Sequence, residues 1–353
     1  MKKILLLFAA ILVIVPLAAQ GIAFDDLTFQ QALNRAKAED KLVFMDCYTT
    51  WCSPCKYLSE QVFTQIEVGD FFNKNFINLK MDMEKGEGRE LLARFEIKAY
   101  PTLLLIRPDG TLQHRILGSM DARALITAVQ EGMDEKSSFT FLEKEFDNGN
   151  RDPKLVGRYF AMLVKNKIND KAQQIANELY ASIPPERLIG EEFWFLFSTP
   201  ALNGWKSERC TFLIANKSQF DRTVGKSDVD AVLYEICTDL LRWIFWDSDK
   251  GFTLAYLPEF MTEVNAIEFE GRSKVNTEAE FAQALSVMDG PRMLHIYREK
   301  GKDISPLGGC MTMMALIASQ KSQIDENKFP EVLELIHLIE QDRAETTKNQ
   351  NFN

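Results

Sequence analysis

Histidine is scarce in this chain: there are three in 353 residues, His114, His295 and His337, far apart in the sequence. That leaves little material for a histidine-based metal site. Cysteine is sparse too. Six are too few for a scaffold held together by disulfides. Eighteen glycines and twelve prolines exclude collagen-like and low-complexity classes. Basic residues are outnumbered, 41 Lys and Arg against 51 Asp and Glu, which gives a net charge of −10 and an isoelectric point near 5.1. Phosphate backbones need a basic face, so nucleic acid is not expected as the main partner. Long apolar runs are nearly absent. Ser305–Gln320 carries no charge, but its glycines and hydroxyls make it a buried helix rather than a membrane span. What remains is an ordinary folded composition, 46% hydrophobic and 26% charged, in a chain long enough for two domains.

The one sustained apolar run is Ile4–Val15, preceded by Lys2 and Lys3 and broken by Pro16. Leu17-Ala18-Ala19 supplies small residues behind it. A charged start, a short apolar core and a small-residue end describe a secretory signal peptide over residues 1–19. The run is shorter than the ~18–20 residues a spanning helix needs. No cysteine follows it to take a lipid anchor. The expectation is an exported, periplasmic protein of bacterial type, in a compartment where disulfides persist.

From Phe24 to about Gly132, strands and helices alternate. Leu27–Asp40 has helical periodicity, Leu42–Met45 is a short apolar run of a strand buried on both faces, and Ser53–Phe63 and Ile66–Phe76 read as helices. Ile77–Met83 alternates as a strand, Gly88–Phe95 is helical, and Pro108-Asp109-Gly110 joins strands Thr102–Ile106 and Thr111–Leu117 as a hairpin. Asp121 caps a last helix, Ala122–Met133. This order predicts an α/β sandwich with a mixed sheet over residues 20–135.

Beyond Glu135, strand-like runs nearly vanish. Helices are expected at Phe139–Phe146, Lys154–Lys165, Asp170–Ser182, Pro185–Phe197, Glu208–Phe220, Asp228–Trp246, Leu254–Glu268, Glu278–Lys300, Pro306–Lys321 and Lys328–Ala344. Residues 136–345 read as an all-α domain, either a helical bundle or an irregular tetratricopeptide-like solenoid. Ala172, Ala176, Leu179 and Pro184 fit the second helix of such a repeat. The polar residues 346–353 read as a frayed tail.

Chemistry concentrates in Trp51-Cys52-Ser53-Pro54-Cys55-Lys56, directly after the buried strand and at the start of a helix. A thiol at the positive end of a helix dipole is favoured as thiolate, and a second thiol one turn on is within reach to close a disulfide. Pro54 fits the first helical turn, where its missing N–H costs little. Two cysteines at this spacing are also half of a zinc site, but zinc needs four ligands and only Cys47 is near in sequence. No metal and no cofactor are expected.

These residues and their surroundings resemble thioredoxin. Trp51 precedes the first cysteine as in that family. Asp46 ends the preceding strand where thioredoxins keep a buried aspartate, and Lys80 in the next strand matches the lysine that pairs with it. Tyr100-Pro101-Thr102 stands where the family has its cis-proline, Gly118 falls at a late-strand glycine, and Ala122–Met133 closes the fold. The resemblance covers about residues 24–135. Within the family it is similar to the C-terminal periplasmic domain of the bacterial thiol:disulfide interchange protein, through WCSPCK, the extra helix Glu67–Phe76 and Gly118-Ser119-Met120-Asp121-Ala122. That protein has a multi-span membrane domain and this sequence has none, so a reductive role requires a separate membrane-bound or periplasmic electron donor.

The resemblance implies a protein-disulfide oxidoreductase acting on protein thiols and disulfides. Its catalytic set is Cys52, Cys55, Asp46 and Lys80. Trp51, Ser53, Pro54, Tyr100, Pro101 and Thr102 form the substrate-binding surface. Ser53-Pro54 resembles the dipeptide of reducing members, which favours reduction or isomerisation. A non-catalytic thioredoxin-like platform, whose helical domain binds a partner protein, is the rival reading. A peroxidase is a third, since Thr49 lies three residues before Cys52. Cys47 reads as a core residue with an extra redox thiol as the alternative. Cys210, Cys237 and Cys310 read as small buried hydrophobes, with a Cys210–Cys237 bridge open. The aromatic stretches Phe193–Phe197 and Trp243–Trp246 read as helix–helix core or as a groove for a partner.

Overall fold

The computed structural model describes residues 21–245, 252–306 and 308–350. The expected signal peptide, Trp246 and residues 351–353 lie outside the described residues. Two compact units divide the chain after Asn169.

In the first unit, Thr28 opens α1 (Phe29–Glu39) with a capping box, its hydroxyl accepting from the Gln31 backbone while the Gln31 side chain reaches back. Next come β1 (Leu42–Tyr48), α2 (Ser53–Tyr57) continuing through a π turn at Leu58–Val62, α3 (Ile66–Asn75), β2 (Phe76–Asp82), α4 (Gly88–Arg94), β3 (Thr102–Ile106), β4 (Leu112–Leu117) and α5 (Ala122–Met133). This is the expected order. The four strands lie in the order β2-β1-β3-β4, with β1 and β2 parallel and the other pairs antiparallel. The sheet is therefore mixed.

The pleat of β1 separates two cores. Val43, Met45 and Cys47 face Phe29, Leu33 and Ala36 of α1 and Leu91 of α4. Phe44 faces Leu58, Val62, Phe72 of α3 and Leu125 of α5, with its ring 4.5 Å from that of Phe72. With helices on both faces, the strand must be apolar throughout. Asp46 breaks that rule in the middle of a fully buried segment. Gly69 is required by packing: a Cβ there would lie 2.2 Å from the Gly21 carbonyl oxygen.

Among the described residues every element after Leu117 is a helix or helical turn, yet the first compact unit runs on past the end of α5. Helix α6 (Phe139–Asp147) packs on β4: the Phe139 N–H donates to His114 Nδ1 at 3.2 Å and the Thr140 hydroxyl to the Gln113 carbonyl at 3.2 Å. Helix α7 (Pro153–Lys165) folds back on α6, and Tyr159 sits against the rings of Phe139 and Phe146 at 5.9 and 5.6 Å.

The second unit, from Asp170, is all-helical. It contains α8 (Asn169–Ser182), α9 (Pro185–Leu188), α10 (Glu208–Ala215), α11 (Lys217–Phe220), α12 (Lys226–Trp243), α13 (Leu257–Asn265), α14 (Arg272–Ser286), α15 (Gly290–Lys300), α16 (Gly309–Ser319) and α17 (Pro330–Gln350), with short 3₁₀ turns between some of them. Three expected helices are interrupted, and Leu254–Glu268 and Pro306–Lys321 are α-helical over shorter spans, Leu257–Asn265 and Gly309–Ser319. Glu278–Lys300 is two helices: Met288 takes a left-handed φ of 54°, and Asp289 caps α15 just ahead of Pro291. Pro185–Phe197 stops at Leu188 and resumes after Gly190 as a 3₁₀ turn, Glu191–Leu196. Glu208–Phe220 is interrupted at Asn216. Helix α17 continues to Gln350, so residues 346–350 of the expected tail are helical.

The Phe193–Phe197 stretch is core, whereas Trp243 of the second stretch is 43% exposed. Phe197 packs on Phe220 at 4.9 Å and on Phe212 at 5.9 Å, with Trp194 5.7 Å from Phe220. Cys210, Cys237 and Cys310 are buried free thiols; the open Cys210–Cys237 bridge is not formed. No helix among the described residues is long and apolar enough to cross a membrane.

Candidate active site

The loop after β1 hands the chain to α2 at Cys52, which is the N-cap of that helix. Its sulfur accepts from the Cys55 backbone N–H at 3.2 Å. Cys52 and Cys55 are joined as a disulfide, S–S 2.12 Å, Cα–Cα 5.3 Å. Both side chains are buried, 3% and 2% exposed, whereas neighbouring Trp51 is 66% exposed. Ser53 and Pro54 lie at the surface in the first turn. The free N–H groups and dipole of the helix start favour negative charge on Cys52 once the disulfide is reduced.

The Tyr100–Pro101 peptide bond is cis. Pro101 is buried, and its carbonyl accepts from the Gly118 N–H at 2.9 Å. Thr102 opens β3 opposite Cys47 of β1, and its hydroxyl donates to the Ala99 carbonyl at 2.7 Å. The β1–β3 register thus brings the proline turn to the end of β1 from which the Cys52 loop leaves. The two are joined on the surface as well, because the Trp51 ring meets the Tyr100 ring edge-on at 6.0 Å.

Asp46 stands opposite Lys80 in the parallel β1–β2 pair. Its carboxyl is fully buried, and neither oxygen accepts a hydrogen bond from another protein group. Lys80 Nζ lies 3.9 Å from Oδ2. Burial disfavours the charged form and pushes the Asp46 pKa up to about 7, with the Lys80 charge opposing the rise. Cys47 points to the opposite face, into the core beneath α1, and burial holds its thiol well above the usual range. Thr49 is buried, and its carbonyl accepts from the Cys52 N–H at 3.3 Å.

The histidines lie elsewhere. His114 is buried beneath α6, and burial lowers its pKa to about 4; His295 and His337 are exposed. Among the described residues no three His, Cys, Asp or Glu side chains gather as a metal site.

Two residues of the site carry no sequence signal. Glu84 accepts from the Trp51 indole N–H at 2.9 Å, 33 residues away. Ser59 accepts from Lys80 Nζ at 2.5 Å. Neither belongs to a spacing pattern.

A family model described as a thioredoxin-like domain matches residues 29–132. The thiol:disulfide interchange protein DsbD of Pseudomonas fluorescens is 35% identical over 121 residues, 31% of this chain and 21% of that protein. The chain spans about a fifth of the length of the curated DsbD relatives it matches. Among solved structures, a candidate disulphide-isomerase of Bacteroides thetaiotaomicron is 53% identical, covering 33% of this chain and 96% of that one, TM-score 0.31. The C-terminal domain of Neisseria meningitidis DsbD in its oxidised form is 24% identical over 31% of this chain and 98% of that one, TM-score 0.27. Residues 29–132 are a thioredoxin-like domain similar to a part of DsbD, and a largely helical region follows it.

Proposed function

We propose that this protein is a thiol–disulfide oxidoreductase that acts on disulfides of other proteins, in the reducing or isomerising direction. The observation that carries the proposal is the Cys52–Cys55 disulfide capping α2, with a buried, hydrogen-bond-free Asp46 six residues upstream.

The reduced pair works in two steps. The Cys52 thiolate attacks one sulfur of a substrate disulfide; an S–S bond forms to Cys52, and the other substrate sulfur leaves as a thiolate. Cys55 then loses its proton, its thiolate attacks the Cys52 sulfur, and the second substrate sulfur departs. The substrate gains two electrons and the Cys52–Cys55 disulfide re-forms. The buried Cys55 needs a base for the second step. Asp46, with a pKa of about 7, is part-ionised at neutral pH and suits both taking and returning that proton. Lys80 tunes that balance.

Substrate recognition falls to the surface around the pair. Exposed Trp51 with Tyr100 offers an aromatic ledge, and the backbone beside Pro101 is placed to pair with an extended substrate segment. Ser53 and Pro54 line the same rim, and Thr102 fixes the turn behind it. Because each reductive turnover leaves the pair oxidised, that direction needs a separate membrane-bound or periplasmic donor. The basic and apolar start of the chain, Lys2–Val15, supports a role outside the cytoplasm.

The test is a redox titration of the purified protein against glutathione and dithiothreitol, paired with an insulin-reduction assay. A reversible two-electron couple near about −270 mV with insulin reduction supports the reductant. A couple near about −120 mV makes it a disulfide donor and overturns the direction. Absence of a couple leaves a thioredoxin-like binding platform.

A further inference from the structure

Lys80 does not do what its register position invites. A lysine directly across a parallel pair from a buried aspartate would ordinarily close to a charge-assisted hydrogen bond of about 2.7–2.9 Å. Here Nζ stops 3.9 Å from Oδ2, and both Asp46 oxygens stay without a hydrogen bond. The ammonium is engaged elsewhere. It donates to the Ser59 hydroxyl, and it lies over the rings of Tyr48 at 5.0 Å and Phe24 at 5.7 Å. Its side chain is 27% exposed, so it also reaches toward solvent. Ser59 sits in the π turn that continues α2, and such wide turns recur at functional sites.

Lys80 on β2 is the charge that acts on Asp46. At the facing position of β3 stands apolar Leu103; on β1, Cys47 points to the other face and Tyr48 follows. From α2, the nearest titratable position by the chain's course is Cys55, held in the disulfide. Burial raises the Asp46 carboxyl, and the distance to this one ammonium sets how far that rise is offset.

We propose that Ser59 is a positioning residue: with the Tyr48 and Phe24 rings it holds the Lys80 ammonium one step away from Asp46, so the carboxyl exchanges a proton instead of being locked into an ion pair. This rests on the reading of Asp46 as the base for Cys55 and assigns that site a tuning element. A Ser59–Lys80 pair also gives the Asp46 region a polar exit toward water. Lys80 is about a quarter exposed, whereas Asp46 is wholly enclosed.

The test follows the Asp46 carboxyl by carbon-13 NMR titration of the full chain, in wild type, Ser59→Ala, Ser59→Thr and Lys80→Met. Without the hydroxyl, the ammonium closes on Asp46, and the midpoint falls by about one pH unit. Ser59→Thr keeps the wild-type midpoint, and Lys80→Met raises it. A Ser59→Ala midpoint that stays or rises overturns the inference, as does an unchanged Lys80→Met midpoint. The pH profile of mixed-disulfide resolution moves in step with the carboxyl midpoint. The NMR readout does not need turnover: a shifted midpoint in a protein that reduces no disulfide upholds Ser59 and removes the oxidoreductase reading. An unshifted midpoint in an active enzyme does the reverse.

Discussion

Cys52→Ser reduces insulin reduction to background, a loss of at least about 10³-fold, because it deletes the group that makes the first bond. Cys55→Ser loses turnover to a similar extent but stops one step later. The first exchange proceeds, and with no resolving thiol the protein accumulates as a covalent adduct with its substrate. Intact-mass measurement of the two variants after incubation with a disulfide-bearing protein separates them: an adduct with Cys55→Ser and none with Cys52→Ser. The roles follow from placement. Both are buried, but Cys52 caps the helix and so gains most from its dipole, while Cys55 lies inside the first turn. Adducts on Cys52→Ser instead would reverse the assignment.

Asp46→Ala stabilises the protein and slows it. The native state binds a proton at Asp46 up to about pH 7, whereas the unfolded chain releases it near the ordinary carboxylate value of 3.8. Between those values the native state holds more protons than the unfolded state, so stability falls as pH rises. The burial penalty reaches its full size above pH 7. From the roughly three-unit displacement it amounts to about 4 kcal/mol at most. Asp46→Ala removes the penalty. Denaturant unfolding at pH 8 shows the variant more stable than wild type by a large part of that amount, with the gap closing toward pH 4. Resolution of the mixed disulfide meanwhile slows by about 10²-fold, the usual contribution of a positioned base. A gap between variant and wild type no larger at pH 8 than at pH 4 would mean that Asp46 is not a strained carboxyl.

Much of this site could be read from the sequence because it is local. The apolar run before Asp46, the cysteines three apart and Pro54 in the first turn are all set within about a dozen residues, where strand burial and helix-start chemistry act directly. The Asp46–Lys80 pairing spans two strands. It was readable by resemblance, and the β1–β2 register puts the two opposite one another. The spacing between them was not readable. It depends on Ser59, 21 residues from Lys80 and on a turn that periodicity describes only as helix. Glu84 escaped for the same reason: an exposed carboxylate has no pattern until its indole partner is placed. In the helical unit, element type was legible but length was not. Apolar spacing continues smoothly across residues 278–300, while Asp289-Gly290-Pro291 spells a helix start inside that run. Local stop signals there outrank the periodic one.

The outer edge of the sheet has a consequence for handling the protein. β4 is a terminal strand, and α6 fastens to it through the Thr140 hydroxyl on the Gln113 carbonyl and the Phe139 amide on His114. An uncovered border strand is a template on which a second molecule can add its own strand, the usual route to sticky, oligomerising fragments. The boundary suggested by the family match, near residue 132, would cut away that cover together with its α7 support. A fragment carried through to Asn169 keeps α6 and α7 on that border strand and is expected to stay monomeric at concentrations where a fragment ending near residue 132 self-associates, which size-exclusion chromatography of the two checks.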